Sequence, residues 1–210
     1  MSNSLAGMPV SQFLDDLASS KPAPGGGSVA GLAGSLGAGL LSMVCNLTLG
    51  KKKYADVQED ITVLVGKSEK LRNELTSLIE EDIKAYTFLN DTMKMPRDTD
   101  EQKAARDKAM DGALKGATNV PMKIAEACVA VMDLCQETAD KGNSNAISDV
   151  GVGILLAEAG LRSAALNVLI NLGFCKDEAF VKQSREHLNS LLAGRGKLRD
   201  EIYDLVVSKL

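Results

Sequence analysis

Three groups of polar residues in this 210-residue sequence are spaced so that they could bind or transform a small anionic molecule. The first is the segment Lys21-Pro-Ala-Pro-Gly-Gly-Gly-Ser28, which stands directly before a stretch of small apolar residues. Glycines before a helix expose backbone N–H groups and let a ligand approach the main chain. The alternative is a tight turn in which Ser28 caps the helix. The candidate ligand contacts in this segment are Pro24, Gly25, Gly26, Gly27 and Ser28.

The second group consists of three lysines and a tyrosine, Lys51, Lys52, Lys53 and Tyr54, at the far end of the same apolar stretch. Cations beside a helix C-terminus are stabilised by the helix dipole, which is the structural explanation. The functional alternative is an electropositive patch for an anionic ligand, with one lysine available for proton transfer. The residues alone leave both explanations open.

The third group includes Asn145, Ser148 and Asp149, followed by two valines and two glycines. Asn145 and Asp149 are four residues apart, so one helix face presents both. Asn167 and Asn171 continue that face, and hydrogen bonding to other helices would explain these two amides equally well. Asp82 and Tyr86 share a face of another helix, where a solvated surface turn is the alternative.

Helical periodicity predicts the elements that position these groups. A short amphipathic helix follows Pro9, and small residues every fourth position predict that the helix at 28–49 approaches its neighbours closely. Pro121 is expected to kink or break the helix that Thr99 or Asp98 caps. The predicted order of the longer segments is 28–49, 56–95, a helix from 99 to Gly142, an apolar segment at 144–174 and two surface helices.

Composition agrees with an all-α, single-domain helical bundle with long helices, covering residues 1–210. Aromatic residues make up only 3% of the chain, and no segment alternates between polar and apolar residues as strands do. The net charge of −4 disfavours nucleic acid as a partner, because phosphate binding needs a broad cationic surface. Four cysteines without a CxxC pair predict free thiols in a reducing compartment and no metal site.

The uncharged stretch at 28–49 is long enough to span a bilayer, but its glycines, serines and polar residues favour a buried helix. The beginning of the sequence lacks the basic and apolar regions of a signal peptide, which predicts a cytoplasmic protein without a membrane partner. The apolar surface of 28–49 and 144–174 exceeds what one subunit easily covers. A homodimer with these helices near the interface is therefore expected.

Three ordered motifs give the chain a resemblance that covers nearly its whole length. They are LASSKPAPGGGSVAGLAGSLGAGLLSMVCNLTLGKKKY, SNAISDVGVG and GLRSAALNVLIN. Together they resemble the cyclodeaminase/cyclohydrolase family of folate enzymes, and particularly its free-standing bacterial members. The resemblance implies an all-helical subunit that dimerises and binds folate in a cleft. The activity that it implies is hydrolysis of 5,10-methenyltetrahydrofolate to 10-formyltetrahydrofolate, with formiminotetrahydrofolate cyclodeamination as the alternative.

That chemistry assigns roles to the three groups. A carboxylate can deprotonate the attacking water, and Asp149 is the first choice for it, with Asp82 second. A lysine can donate a proton to the departing ring nitrogen, and the candidates are Lys21, Lys52 and Lys53. The other lysines, including Lys51, would steer the anionic glutamate tail. Neither reaction requires a metal or redox cofactor. The remaining alternative, a non-catalytic helical module, leaves the lysine cluster and Asp149 without a role.

Overall fold

The computed structural model describes residues 7–210 and places seven α-helices and no strand among them. This confirms the all-α prediction. Two short 3₁₀ turns, Lys52–Val57 and Ser144–Ala146, precede the third and fifth helices. In chain order the helices are α1 (Val10–Leu17), α2 (Gly26–Asn46), α3 (Gln58–Met93), α4 (Asp100–Lys141), α5 (Ile147–Leu172), α6 (Glu178–Leu192) and α7 (Arg195–Ser208).

Helices α2 and α5 form the centre of the bundle and run antiparallel, with α3 and α4 packed around them. Their backbones approach closely because glycines face each other. A Cβ on Gly37 would lie 2.9 Å from the carbonyl oxygen of Gly153, and one on Gly160 would lie 3.0 Å from that of Ala30. Such contacts leave no room for any side chain. The expectation that small residues let α2 approach its neighbours closely is therefore confirmed.

Burial accounts for the state of the cysteines. Cys45, Cys128 and Cys135 are buried free thiols, whereas Cys175 is half-buried and also unpaired. Burial raises the pKa of the Cys45 thiol to about 11 and the pKa values of Cys128 and Cys135 to about 12. These three thiols are therefore protonated at neutral pH and serve as small apolar core residues. Within residues 7–210, no three His, Cys, Asp or Glu side chains are grouped to hold a metal ion.

Both ends of α4 lie where the sequence predicts them, but the predicted break in its middle is absent. Thr99 caps the helix through a capping box with Gln102, and Gly142 ends it, as expected. The expected break at Pro121 is wrong, since α4 continues through that residue. Proline lacks the N–H that would bond to the carbonyl of Ala117, four residues earlier. The side chain of Asn171 on α5 donates to that carbonyl at 2.7 Å and supplies the missing hydrogen bond.

We expect Asn171→Ala to lower the free energy of unfolding by about 1–3 kcal/mol, because the Ala117 carbonyl loses its hydrogen bond inside the bundle. Urea denaturation followed by circular dichroism measures this change. Asn73→Ala is the matched control, since Asn73 is an exposed helical residue. A loss no greater than that of the control would mean that water satisfies the carbonyl.

Two details at the start of the chain differ from expectation. The helix α2 begins at Gly26 with Gly25 as its N-cap, so Gly26, Gly27 and Ser28 are helical and the helix starts two residues before the predicted position 28. The alternative that Ser28 caps this helix is wrong. Only Phe13 of the apolar face of α1 is buried, while Val10 and Leu14 remain exposed. The expectation of no signal peptide falls partly on residues 1–6, which lie outside the described residues.

Two segments are long and apolar enough to cross a membrane, Gly26–Asn46 and Ser144–Leu172. In this bundle 56% and 50% of their most apolar windows are buried, and core helices of soluble proteins show the same composition. Both segments serve here as the central, antiparallel pair of the bundle.

Candidate active site

A cavity of about 320 Å³ opens where the glycine segment meets the ends of three helices. The N-terminus of α2 forms one wall, and the C-terminal parts of α3 and α5 and the middle of α4 form the others. The lining is mostly apolar, with one carboxylate, two amides and one tyrosine hydroxyl as its polar groups. The lining residues are Pro22, Ala23, Gly25, Gly26, Gly27, Asp82, Ile83, Ala85, Tyr86, Leu89, Met93, Ala117, Pro121, Asn167, Ile170, Asn171 and Phe174.

Asp82 is the carboxylate of this cavity, and it lies against the first turn of α2. The Ser28 hydroxyl donates to its Oδ2 at 3.1 Å. A Cβ on Gly27 would lie 2.1 Å from Asp82 Oδ1, so only glycine permits this contact. The glycine segment and α3 are thereby joined through one carboxylate.

The electrostatic environment of Asp82 suits a proton acceptor. Burial raises the pKa of the Asp82 carboxyl, and hydrogen bonds from the hydroxyl and backbone N–H of Ser28 offset only part of that effect. No lysine, arginine or histidine is among the described residues that line the cavity. A carboxylate with a raised pKa and no paired cation is a stronger base than an exposed one, and it can take a proton from a bound water.

The remaining polar and aromatic residues of the cavity were not selected from the sequence as ligand contacts. Asn167 donates to the Ser163 carbonyl of its own helix at 2.8 Å, so the expectation of a hydrogen bond to another helix is wrong for it. For Asn171 the same expectation is confirmed by its bond to α4. The exposed aromatic side chains of Tyr86 and Phe174 line the mouth of the cavity, where planar rings can stack on them.

The lysine cluster lies at the other end of the α2–α5 pair, beside the start of α5. The Lys53 ammonium donates to Ser144 Oγ at 3.1 Å and lies 5.2 Å from the centre of the Tyr54 ring. The Tyr54 hydroxyl accepts from the Ser144 backbone N–H at 2.9 Å. Hydrogen bonds from the Ser144 side chain and backbone, together with the Lys53 charge, lower the pKa of Tyr54. The cluster therefore favours negative charge on the tyrosine oxygen.

The third predicted group belongs to this lysine end. Asp149 lies in the first turn of α5 and is half-buried, while Asn145 and Ser148 are exposed. Asn167, which lines the cavity, follows Asp149 by five helical turns, or about 27 Å along the helix axis. The two candidate carboxylates, Asp82 and Asp149, therefore lie at opposite ends of one subunit.

The three predicted groups of site residues thus lie in two places, at opposite ends of the α2–α5 pair. Pro22 lines the cavity and Pro24 is buried beside it, whereas the preceding Lys21 is exposed and pairs with Asp16 at 2.6 Å. The glycine segment with Asp82 makes up the cavity end. The lysine end consists of Lys51, Lys52, Lys53, Tyr54, Asn145, Ser148 and Asp149.

The comparisons with known proteins agree on one family. The model of the formiminotransferase-cyclodeaminase family matches residues 9–190. The chain is 48% identical over 201 residues to methenyltetrahydrofolate cyclohydrolase of Methylorubrum extorquens, covering 96% of this chain and 97% of that protein.

Other relatives are similar over a comparable part of this chain. The chain is 34% identical to formimidoyltransferase-cyclodeaminase of Rattus norvegicus over 86% of its own length and 33% of the rat protein. Its fold is similar to the crystal structure of formiminotetrahydrofolate cyclodeaminase from Thermotoga maritima, with a TM-score of 0.81 and 29% identity. That match covers 97% of this chain and 96% of the other.

Proposed function

Because the chain belongs to the formiminotransferase-cyclodeaminase family, we infer that its cavity binds a tetrahydrofolate derivative and that the chain is a methenyltetrahydrofolate cyclohydrolase. The observation that carries the activity is the 48% identity, over nearly the full length of both chains, to a cyclohydrolase of that name. The cyclodeaminase relatives are less similar, at 34% and 29% identity. The reaction is the hydrolysis of 5,10-methenyltetrahydrofolate to 10-formyltetrahydrofolate.

The reaction needs a base, a water molecule and a site for a planar cation. Water adds to the methenyl carbon, and the carboxylate of Asp82 takes one of its protons. The negative charge of Asp82 also attracts the cationic methenyl bridge into the cavity. The bond from the bridge carbon to the ring nitrogen N5 then breaks, and N5 takes up a proton as the adduct hydroxyl loses its own. One proton is released overall, which balances the positive charge of the substrate.

The cavity supports this assignment through its shape and its polarity. The mouth carries Tyr86 and Phe174, whose rings can stack on the pterin or the aminobenzoyl group. The free carbonyl and N–H groups of Asn167 and Asn171 can hydrogen-bond to the pterin edge. We propose that the chemistry proceeds without a metal or redox cofactor, since hydrolysis of an already cationic carbon needs only a base and water. Asp82 is preferred to Asp149 as that base because it lies in the cavity.

The decisive experiment compares two substrates. Purified protein is assayed by absorbance with methenyltetrahydrofolate and with formiminotetrahydrofolate, with release of ammonia followed in parallel. We expect hydrolysis of the first substrate well above the rate in buffer alone. Release of ammonia from the second substrate without hydrolysis of the first would replace the cyclohydrolase with the cyclodeaminase.

Substitution of Gly26 tests whether the cavity holds the substrate. A Cβ at this position would lie 3.3 Å from the Asn167 amide nitrogen, and the two methyl groups of valine would extend into the cavity. We expect Gly26→Val to raise KM for methenyltetrahydrofolate by about 10-fold or more, since one misplaced carbon group costs about 1–3 kcal/mol of binding. Gly66→Val is the control, because Gly66 is an exposed helical glycine with open space around it. An unchanged KM would show that substrate binds elsewhere.

We also propose that the protein is a cytoplasmic homodimer without nucleic-acid or membrane partners. Several large apolar side chains on the outer faces of α2 and α5 remain exposed, among them Leu36 at 52% and Leu166 at 69%. Burial of this surface against a second copy is favourable by the hydrophobic effect. Light scattering is expected to give twice the chain mass of 22.2 kDa at micromolar concentration. A monomer at that concentration would contradict the proposal, and recovery only in detergent would favour a membrane partner.

A further inference from the structure

The cavity has no cation for the most strongly anionic part of the proposed substrate, a point that depends on the function proposed above. A tetrahydrofolate derivative ends in a glutamate tail that carries at least two carboxylates. Asp82 is the one charged side chain among the described residues that line the cavity. The preceding lysine, Lys21, already pairs with Asp16. Among the described residues, the cavity alone therefore offers a place for the rings but no cationic side chain for the tail.

The opposite end of α2 and α5 has the reverse composition. Lys51 and Lys52 are exposed, and their side chains make no ion pair or hydrogen bond to any residue within 7–210, while the Lys53 side chain donates to the neutral Ser144 hydroxyl. A group of cations without acidic partners is typical of an anion-binding surface. Within one subunit this group is about 30 Å from the cavity, given the 21-residue length of α2. A folate molecule whose rings occupy the cavity therefore cannot place its glutamate tail against the lysines of the same subunit.

An exposed apolar face connects the two ends. Leu36 and Met43 on α2 are 52% and 38% exposed. Leu47, directly after α2, is 43% exposed and lies four residues before Lys51. On α5, Leu155 is 40% exposed and Ile170, which also lines the cavity, is 62% exposed. The face is therefore continuous with the cavity at one end and with the lysines at the other.

We propose that a second copy of this chain packs on the α2–α5 face about a two-fold axis perpendicular to these helices. Each active site then combines the cavity of one subunit with the partner's Lys51, the partner's Lys52 and the partner's Lys53. Such an axis places opposite ends of the two α2 helices side by side. An axis parallel to the helices would instead bring six lysines together, which is unfavourable because like charges repel. The rings of the substrate bind to the cavity, and the partner's lysines bind the carboxylates of its tail.

Mixed dimers test the shared site. One subunit carries Asp82→Asn, and the other carries Lys51→Met, Lys52→Met and Lys53→Met together. Each variant alone forms a dimer in which both sites are defective. With different affinity tags on co-expressed subunits, the mixed dimer is expected to regain about half of the wild-type activity, because it contains one intact site out of two. Circular dichroism and light scattering establish that every variant remains folded and dimeric.

The matched control pairs Asp82→Asn with Gly26→Val. Both changes affect the cavity end, so neither site of this mixed dimer is intact and its activity should not exceed the average of its two parent dimers at the same substrate concentration. If the mixed dimer of the triple lysine variant and Asp82→Asn is no more active than its two parent dimers, the shared site is overturned. A lysine variant with wild-type kcat and KM, or a monomeric wild-type protein, would overturn it as well. Failure of the proposed function is distinguishable, since wild-type protein would then not hydrolyse methenyltetrahydrofolate at all.

Discussion

Replacement of Asp82 by asparagine is expected to lower kcat for methenyltetrahydrofolate hydrolysis by about 10²–10⁴-fold, the usual contribution of a positioned general base. Asparagine keeps the size of the side chain and can still accept the hydrogen bond from Ser28, so the cavity retains its shape. Only the ability to take a proton and the negative charge are lost. Steady-state kinetics should show the loss in kcat rather than mainly in KM.

The pH dependence of kcat is an independent test of Asp82 as the base. Asp82 acts as a base only when it is deprotonated, and burial raises the pKa of its carboxyl. Wild-type kcat should therefore fall as the pH drops through this raised pKa, and Asp82→Asn should lack that part of the profile. A larger loss for Asp149→Asn than for Asp82→Asn would make Asp149 the base and leave the cavity only a binding role.

The same substitution should not weaken the fold. A carboxyl whose pKa is raised by folding binds its proton more tightly in the native state, so its contribution to stability decreases as the pH rises through that pKa. Asparagine does not ionise and removes this cost. At neutral pH the Tm of Asp82→Asn is expected to equal or exceed that of the wild type, which separates loss of activity from loss of structure.

Replacement of Gly160 by valine is expected to cause the largest loss of stability, about 3 kcal/mol or more. A Cβ at this position would lie 2.9 Å from Cys128 Sγ, 3.0 Å from the Ala30 carbonyl oxygen and 3.1 Å from the Gly34 backbone nitrogen. Two of these three atoms belong to the backbone of α2 and cannot rotate away. The two central helices would have to separate along their whole contact.

Thermal denaturation measures this effect, and for a chain of about this size 3 kcal/mol corresponds to a fall in Tm of about 6–12 °C. Gly116→Val is the control because Gly116 is an exposed glycine in α4 with open space around it. That change should alter stability by less than about 0.5 kcal/mol, since glycine and valine have similar helix propensities. Equal effects at both positions would mean that α2 and α5 are less closely packed than the structure indicates.

Local interactions explain why much of the fold could be predicted from the sequence. The capping box at Thr99 and the helix end at Gly142 depend on residues close in the chain, and both are present. The small residues of α2 also predicted close packing, because glycine and serine at every fourth position mark one helix face. The break expected at Pro121 is absent because Asn171, 50 residues away, compensates for the missing N–H through a tertiary contact.

The arrangement of the candidate site was harder to predict for the same reason. The sequence identified the glycine segment, Asp82 and the lysines as separate groups, but it could not indicate that Ser28 bonds to Asp82 across 54 positions. Nor could it show that the lysines and the glycine segment lie at opposite ends of the antiparallel pair. Phe174 carried no local pattern, and its position at the cavity mouth follows only from the end of α5.

The hydrogen bond between Asn171 and the Ala117 carbonyl links two positions that should change together in evolution. Where residue 121 is not a proline, its own N–H can bond to that carbonyl, and residue 171 becomes free to vary. Pro121→Ala is therefore expected to relieve most of the destabilisation caused by Asn171→Ala, so the two changes are far from additive. In Pro121→Ala alone, the Asn171 amide would be released from the Ala117 carbonyl of α4 and could turn into the cavity. A substitution in the scaffold would then free the second N–H of this amide for the bound ligand.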